Sequence, residues 1–162
     1  MIKEGNSIGF SLIELLIVMS IIGIIASVAS PLLQSNAQRW RLIAAAEMIS
    51  NDLKWARSES IKRNQIVDVT FVEGAGSSWS YAVTTLAPLA LNKAVLSGSY
   101  KDFNQISLTT NFSSEDTGFD PKRGTALDNG SINLTSSSLS IRIVLSNLGR
   151  VRICGISGYD AC

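Results

Sequence analysis

The stretch FSLIELLIVMSIIGIIASVAS, from Phe10 to Ser30, decides the fold of this chain of 162 residues. It has 21 residues and carries one charged side chain, that of Glu14. At a rise of about 1.5 Å per residue, a helix of this length spans about 31 Å, which matches the hydrocarbon core of a bilayer. The sequence therefore predicts a membrane-spanning helix over 10–30.

The polar segment MIKEGNSIG, residues 1–9, precedes this apolar stretch. A secretory signal peptide would have its small-residue cleavage site after the apolar run. No clear A-x-A site follows here, whereas the Gly9–Phe10 junction lies directly before the run. A plain N-terminal anchor is the alternative interpretation.

The carboxylate of Glu14 needs an explanation in so apolar a setting. A charged side chain at the centre of a membrane helix costs about 2.5–3.5 kcal/mol, so the group needs a partner or a function. The sequence has no Lys or Arg within a helical turn or two of Glu14. Cleavage after Gly9 would create a partner, because the new α-amino group of Phe10 lies four residues from Glu14.

The segment GFSLIEL, from Gly9 to Leu15, resembles the prepilin motif of type IV pilins and type II secretion pseudopilins. The resemblance implies that a prepilin peptidase removes the leader 1–9 by cutting between Gly9 and Phe10. It also implies methylation of the new N-terminus at Phe10. The chain would then be a single-pass protein of the inner membrane, with its head in the periplasm, before it enters a pilus or pseudopilus filament.

The same resemblance implies two residues with a role in filament assembly. Glu14 would guide the docking of each subunit against the Phe10 amine of a neighbour, so the expected partners are other pilins or pseudopilins. Pro31 lies where helices of this family commonly carry a proline and bend or melt in the filament. An interior proline removes one helix hydrogen bond and clashes with the preceding turn, which agrees with that expectation.

Apolar and small residues recur at steps of three or four after Pro31 and predict an amphipathic helix over 31–64. Charged residues lie mostly off this stripe, and Asn64 is expected to end the helix. Trp40 and Trp55 flank the stripe and are interpreted as packing or interface aromatics. The stripe consists of Leu42, Ala45, Ile49, Leu53, Ala56 and Ser60.

Residues 51–64, NDLKWARSESIKRN, resemble the DL-x-x-ARSEA-x-x-RN signature of the GspH/FimT family, a group of small minor pilins and pseudopilins. The chain is therefore identified as a FimT-like or FimU-like member of that family. The basic residues of this segment are interpreted as a solvated face of the helix. Glu59 and Arg63 are expected to form an ion pair across one helical turn.

The pattern changes to period two beyond Gln65 and predicts short strands separated by turns. Segment 86–105 has weak periodicity and is not placed. The fold class is α+β. The resemblance implies a type IV pilin fold, in which a long N-terminal helix packs on a small antiparallel β-sheet head. One half of the helix would be transmembrane and the other half amphipathic. The head would comprise residues 65–162 and contain two small sheets. The predicted strands are 66–72, 79–85, 106–112, 131–134, 138–145 and 150–154.

The composition excludes several kinds of chemistry. The chain has no histidine, which excludes Ser-His-Asp and Cys-His catalysis and imidazole metal sites. Two cysteines are too few for a structural zinc site built from this chain alone. The adjacent acids Glu115 and Asp116 lie in a Ser/Gly-rich loop without an obvious base, and are interpreted as solvated. We therefore expect no enzymatic activity, no catalytic residue, no metal and no cofactor.

The two cysteines, Cys154 and Cys162, bracket the nine-residue sequence CGISGYDAC at the C-terminus. A domain outside the inner membrane lies in an oxidising compartment, so we expect a disulfide between them. In the chain-entropy model a loop this short contributes about 2–3 kcal/mol. The bond would hold a glycine-containing tail that would otherwise fray.

Three arginines near the C-terminus form the candidate binding site. Period-two geometry places Arg150 and Arg152 on one face of a strand, about 7 Å apart, with Arg142 on the preceding strand. This spacing suits adjacent backbone phosphates, which arginine binds bidentately. The sequence has no acidic residue between Asp128 and Asp160, so the cluster is locally uncompensated. A net charge of +1 gives no global field, so nucleic-acid binding would depend on this cluster.

The segment Gly149-Arg150-Val151-Arg152 resembles the G-R-x-R motif near the C-terminus of FimT-type minor pilins. In those proteins the motif is associated with sequence-independent DNA binding during natural transformation, which implies that role for Gly149, Arg150 and Arg152. Similar endings occur in FimU-like pilins, whose main role is to build the filament tip.

Two functions therefore stay open at this point. The first is a minor pilin of a type IV pilus that binds DNA for uptake. The second is a structural minor pilin, or a type II secretion pseudopilin, of the initiation or tip complex, with protein partners only. The sequence does not distinguish a pilus from a secretion pseudopilus, and it does not identify the neighbouring subunits or their copy number.

Overall fold

The computed structural model describes residues 11–76, 78–85, 93–97, 103, 105–137, 139–155 and 159–161, with the backbone alone at 28–35, 85 and 93–97. The chain divides into two compact units, residues 1–37 and Gln38–Cys162. In the first unit, the large apolar side chains from Leu12 to Ile25 are exposed on all sides of the helix. Among the described residues, no helix is both long enough and apolar enough to span a membrane. The membrane-spanning segment 10–30 stays a prediction.

Helix α1 spans Leu12–Arg63 and ends in a pair of capping hydrogen bonds. The amide of Asn64 donates to the carbonyl of Ile61 at 3.3 Å, and the amide of Gln65 donates to the carbonyl of Ser60 at 3.2 Å. This pattern is a Schellman motif, in which the residue after the helix adopts a left-handed conformation. Asn64 has a φ of 52°, which asparagine tolerates better than most residues. The predicted helix end at Asn64 is confirmed.

In the described part of the chain, eight strands follow the helix and form two antiparallel sheets of four strands each. The strands are β1 (Val67–Val72), β2 (Ser80–Thr85), β3 (Lys93–Ser97), β4 (Ser107–Thr110), β5 (Asp116–Phe119), β6 (Gly130–Ser136), β7 (Leu139–Leu145) and β8 (Val151–Cys154). The first sheet has the order β3-β2-β1-β5 and the second has the order β4-β6-β7-β8. Strand β8 therefore lies at an edge of the second sheet, with one side of its backbone unpaired within that sheet.

Six of these strands match the predicted ones, and the two sheets confirm what the family resemblance implies. Strand β3 lies in segment 86–105, which the sequence pattern does not place. Strand β5 includes Asp116, so the interpretation of that residue as part of a loop is wrong. The sequence of β5, DTGF, has little intrinsic preference for a strand. It is a strand because it pairs with β1, with Asp116 opposite Thr70 and Gly118 opposite Asp68.

One hydrophobic core joins the helix to both sheets within the second unit. The predicted stripe of α1 is confirmed, because Leu42, Ala45, Ile49, Leu53, Ala56 and Ser60 are all buried. The first sheet contributes Phe71 among others, and the second contributes Leu134 and Ile143. Trp55 packs against this core, whereas Trp40 is exposed. The α+β architecture, with an amphipathic helix packed on antiparallel sheets, is confirmed.

A buried polar contact links α1 to the first sheet. The hydroxyl of Tyr81 on β2 donates to Oδ2 of Asp52 at 2.7 Å, and Asp52 is 8% exposed. Burial, this hydrogen bond and the negative charge of Asp52 raise the pKa of Tyr81 far above its usual value of 10.0. Tyr81 therefore stays protonated and available as a donor at any physiological pH.

Candidate functional site

The candidate site is organised by the tight turn between β7 and β8. The amide of Ser146 donates to the carbonyl of Arg150 at 3.0 Å, and the amide of Gly149 donates to the carbonyl of Ser146 at 2.8 Å. This arrangement is a hairpin with three loop residues, whose last position takes a left-handed backbone. Gly149 occupies that position with a φ of 72°. Glycine adopts this conformation at little cost because it has no Cβ.

A second constraint on Gly149 comes from the neighbouring chain segments. A Cβ atom added to Gly149 would lie 2.2 Å from the carbonyl oxygen of Gly124 and 3.0 Å from Nε of Arg57. The same carbonyl oxygen accepts a hydrogen bond of 2.8 Å from Nε of Arg57. Packing thus requires glycine at position 149, since only glycine lets the hairpin turn approach this hydrogen bond. The role in DNA binding that the family resemblance implies for Gly149 stays a prediction.

The structure places Arg142 and Arg152 on the same outer face of the second sheet. Arg152 is opposite Val144, and Arg142 is opposite Cys154. The two arginines are therefore diagonal neighbours, which brings their Cβ atoms within about 7–8 Å. Both side chains are exposed, and Nε of Arg142 donates to Oδ1 of Asn133 at 2.8 Å.

Arg150 directly precedes β8. It is exposed, and it lines a groove of about 450 Å³ between the turn and α1. Lys54 and Arg57 line the same groove from the helix side. The structure therefore extends the candidate site from the three predicted arginines to two basic residues of α1. The remaining lining residues are Ser58, Ile61, Gly149 and Val151.

The interpretation of the basic residues of α1 as a solvated face is wrong for Arg57. This side chain is half-buried, and its Nε is bound to the Gly124 carbonyl. A sequence signal was present, because Arg57 lies four residues after Leu53 and three before Ser60, both of which are buried. Its position on the edge of the stripe predicts contact with the head. The interpretation holds for Lys54, which is exposed.

The electrostatic setting of the groove is positive. Glu59 on α1 pairs with Lys62 and with Arg63, the latter being the predicted pair. Among the residues that the structure describes, no carboxylate lies within 4.0 Å of a charged nitrogen of the five basic residues of the site. Helix α1 and the β7–β8 hairpin thus present five cations to an incoming anion, and within the described ranges none of the five has a paired carboxylate. These cations are Lys54, Arg57, Arg142, Arg150 and Arg152.

The C-terminal loop is attached to the helix. The hydroxyl of Tyr159 donates to Oε1 of Glu47 at 2.7 Å, and this contact raises the pKa of Tyr159. Cys154, at the end of β8, is 2% exposed. Cys162 lies outside the described residues, so the Cys154–Cys162 disulfide stays a prediction.

The predicted processing and assembly residues lie at the other end of the chain. Gly9 and Phe10 are outside the described residues, and so is the side chain of Pro31. Glu14 lies in the first turn of α1 and is exposed. The roles of these residues stay predictions.

A separate depression of about 410 Å³ on the first sheet is acidic. It is lined by Asp68, Asp116 and Asp128, with Ser113 and neighbouring residues. Burial and the charge of Asp116 raise the pKa of Asp68 above its usual value of 3.8. In the described part of the chain, no group of three or more acidic or thiol side chains is close enough to hold a metal ion.

Comparisons with known proteins match most of the chain. The family model described as "Type II transport protein GspH" matches residues 45–149, and the model described as "Prokaryotic N-terminal methylation motif" matches residues 6–30. A pilin-like protein of Thermus thermophilus, PilA1, is 42% identical over 69 residues, which cover 42% of this chain and 43% of that protein. No solved structure matches the chain.

The extent of these matches bears on the candidate site. The match to the first family model includes Arg57, Gly124 and Arg142, and it ends at Gly149. Arg150 and Arg152 follow directly after it. We call the five cations Lys54, Arg57, Arg142, Arg150 and Arg152 the basic edge. The basic edge therefore joins three residues inside the matched region to two arginines beyond it.

Proposed function

Since this chain belongs to the GspH family of type II transport proteins, and is a type IV pilin or pseudopilin, we propose that it is a minor pilin of a type IV pilus that binds DNA for uptake. It would be assembled into the filament or its tip together with other pilins. The DNA contacts would come from Arg150 and Arg152, supported by Arg142. They would fall on phosphates and be independent of base sequence.

The observation that carries this proposal is the group of exposed arginines on the β7–β8 hairpin, for which the described residues supply no carboxylate within 4.0 Å. Arg142 and Arg152 are exposed on one face of the β7–β8 hairpin, and Arg150 is exposed beside them. Arginine pairs bidentately with phosphate, and its charge does not depend on pH. A few such contacts bind DNA weakly and with strong salt dependence, so several copies along a filament would supply avidity.

We further propose the processing and placement that the N-terminal motif implies. Cleavage between Gly9 and Phe10 would be followed by methylation of Phe10. The segment 10–30 would anchor the protein once through the inner membrane, with the head in the periplasm, before assembly guided by Glu14. A disulfide between Cys154 and Cys162 would close the C-terminal loop.

The alternative is a structural minor pilin or a type II secretion pseudopilin with protein partners only. One observation favours it: the matched family is named for type II transport, and its model ends before Arg150. In that case the edge arginines would pair with acidic side chains of a neighbouring subunit.

Charge reversal separates the two functions. Arg150→Glu/Arg152→Glu should abolish DNA binding and transformation while filaments still assemble. Lys62→Glu/Arg63→Glu is the matched control, because it makes the same change in charge at two exposed residues that do not line the groove and that already pair with Glu59. Loss of filament assembly in the first variant, with DNA binding by the isolated protein unchanged, would support the structural alternative.

A further inference from the structure

We propose that the groove between α1 and the β7–β8 turn is a phosphate site, in which Lys54 and Arg57 bind the nucleic-acid backbone beside the phosphates held by Arg150 and Arg152. This inference rests on the DNA binding proposed above. It assigns to the helix a part of the binding surface that the C-terminal motif does not contain.

The first argument is the convergence of cations from distant parts of the chain. Lys54 and Arg57 come from the helix and Arg150 from the hairpin turn, and all three line one groove of about 450 Å³. Sites for small groups typically have volumes of about 300–1,000 Å³, so the groove has room for a phosphate with part of its sugar. Ser58 adds a hydroxyl to the lining and Ile61 adds an apolar surface.

The second argument is that Arg57 is preorganised. Its Nε–H is bound to the carbonyl of Gly124 at 2.8 Å, which fixes the plane of the guanidinium group. A guanidinium has five N–H donors, so four remain on its two terminal nitrogens. The absence of a side chain at Gly149 keeps this arrangement intact, since an added Cβ would collide with the Gly124 carbonyl. A guanidinium held in one orientation loses less entropy when it binds a phosphate.

The third argument favours a polyanion over a single carboxylate of a neighbouring protein. The cations continue from the groove onto the outer face of the sheet, from Lys54 and Arg57 through Arg150 to Arg152 and Arg142. Within the part of the chain that the structure describes, no carboxylate is within 4.0 Å of the charged nitrogens of any of them. A row of cations that the described residues leave without paired carboxylates is complementary to the evenly spaced charges of a nucleic-acid backbone.

The test compares Lys54→Gln with Lys62→Gln in the full chain, kept in a non-ionic detergent. Both variants remove one positive charge from an exposed position of the same helix, but Lys62 is already near Glu59, at 3.9 Å. Binding to a short fluorescent DNA duplex is measured by anisotropy over a series of salt concentrations. We expect Lys54→Gln to weaken binding several-fold and to lower the slope of log K against log salt by about 1, whereas Lys62→Gln stays within about twofold of wild type.

The outcomes separate this inference from the proposed function. If Lys54→Gln binds DNA like wild type while Arg150→Gln/Arg152→Gln does not, the groove is not a phosphate site and the proposed function stands. If the wild type does not bind DNA, both proposals are wrong. If Lys54→Gln binds DNA normally but fails to assemble with other pilins, the groove is a protein contact and the inference is overturned.

Discussion

Replacing Gly149 with alanine tests whether the hairpin turn depends on its contact with Arg57 and Gly124. The added Cβ meets two obstacles in the folded protein. The first is the backbone of residue 149, whose φ of 72° is left-handed, a conformation that costs a residue with a Cβ about 1–2 kcal/mol. The Cβ would also lie 2.2 Å from the Gly124 carbonyl oxygen, so the turn or that carbonyl has to move.

The movement has a definite energetic consequence. It displaces the carbonyl that accepts the hydrogen bond from Nε of Arg57, and a hydrogen bond to a charged group contributes about 1.5–3 kcal/mol. Together with the backbone term, Gly149→Ala should lower the free energy of unfolding by about 2.5–5 kcal/mol. Urea unfolding of the full chain in non-ionic detergent measures it, with the fluorescence of the buried Trp79 as the signal.

Two further variants of the turn identify the cause. Leu148→Ala changes an exposed side chain of the same turn and should change stability by less than about 0.5 kcal/mol. Gly149→Asn tolerates the left-handed backbone but carries the same Cβ, so it should be nearly as destabilising as Gly149→Ala. A Gly149→Ala protein within about 0.5 kcal/mol of wild type would refute the packing account of this glycine.

Three other perturbations follow from the structure and the sequence. Because the pKa of Asp68 is raised by burial and by Asp116, ionisation of Asp68 favours unfolding, so its contribution to stability falls as the pH rises above 3.8. Asp68→Asn should therefore be more stable than wild type at neutral pH, and the difference in stability should disappear in acid. Thermal unfolding at a series of pH values measures this difference, and equal stability of the two proteins at neutral pH would contradict the prediction. Tyr81→Phe removes the hydrogen bond to buried Asp52 and should cost about 1.5–3 kcal/mol in urea unfolding, and a loss below about 0.5 kcal/mol would show that the contact contributes little. Gly9→Val should leave an unprocessed, larger precursor in the membrane on an immunoblot, and normal processing would contradict the predicted cleavage site.

Much of the fold could be predicted because local patterns and burial agree. The stripe from Leu42 to Ser60 recurs at the helical period, and every predicted member is buried. Alternation along β7 likewise places Ile141 and Ile143 inside and leaves Arg142 outside. Wherever one face of an element carries the apolar residues, the sequence contains the information that orients it.

The parts that could not be predicted depend on contacts between distant residues. Strand β5 has no alternation of its own and exists through its pairing with β1. The hydrogen bond between Arg57 and Gly124 spans 67 residues, and the hairpin turn at Gly149 packs on it. The helical stripe predicts that Arg57 contacts the head, but no local pattern specifies that it meets Gly124 and the turn at Gly149. The sequence therefore predicted the three arginines of the hairpin but not the groove that they share with the helix.

The central claim, that the basic edge binds phosphates, is tested most directly by the salt dependence of DNA binding. The full chain in non-ionic detergent is titrated with a DNA duplex over a range of salt concentrations, beside Arg150→Gln/Arg152→Gln. Each phosphate contact contributes about 0.9 to the slope of log K against log salt, so the double variant should bind more weakly with a slope smaller by about 2. Equal slopes for the two proteins, or wild-type binding that does not respond to salt, would contradict the account.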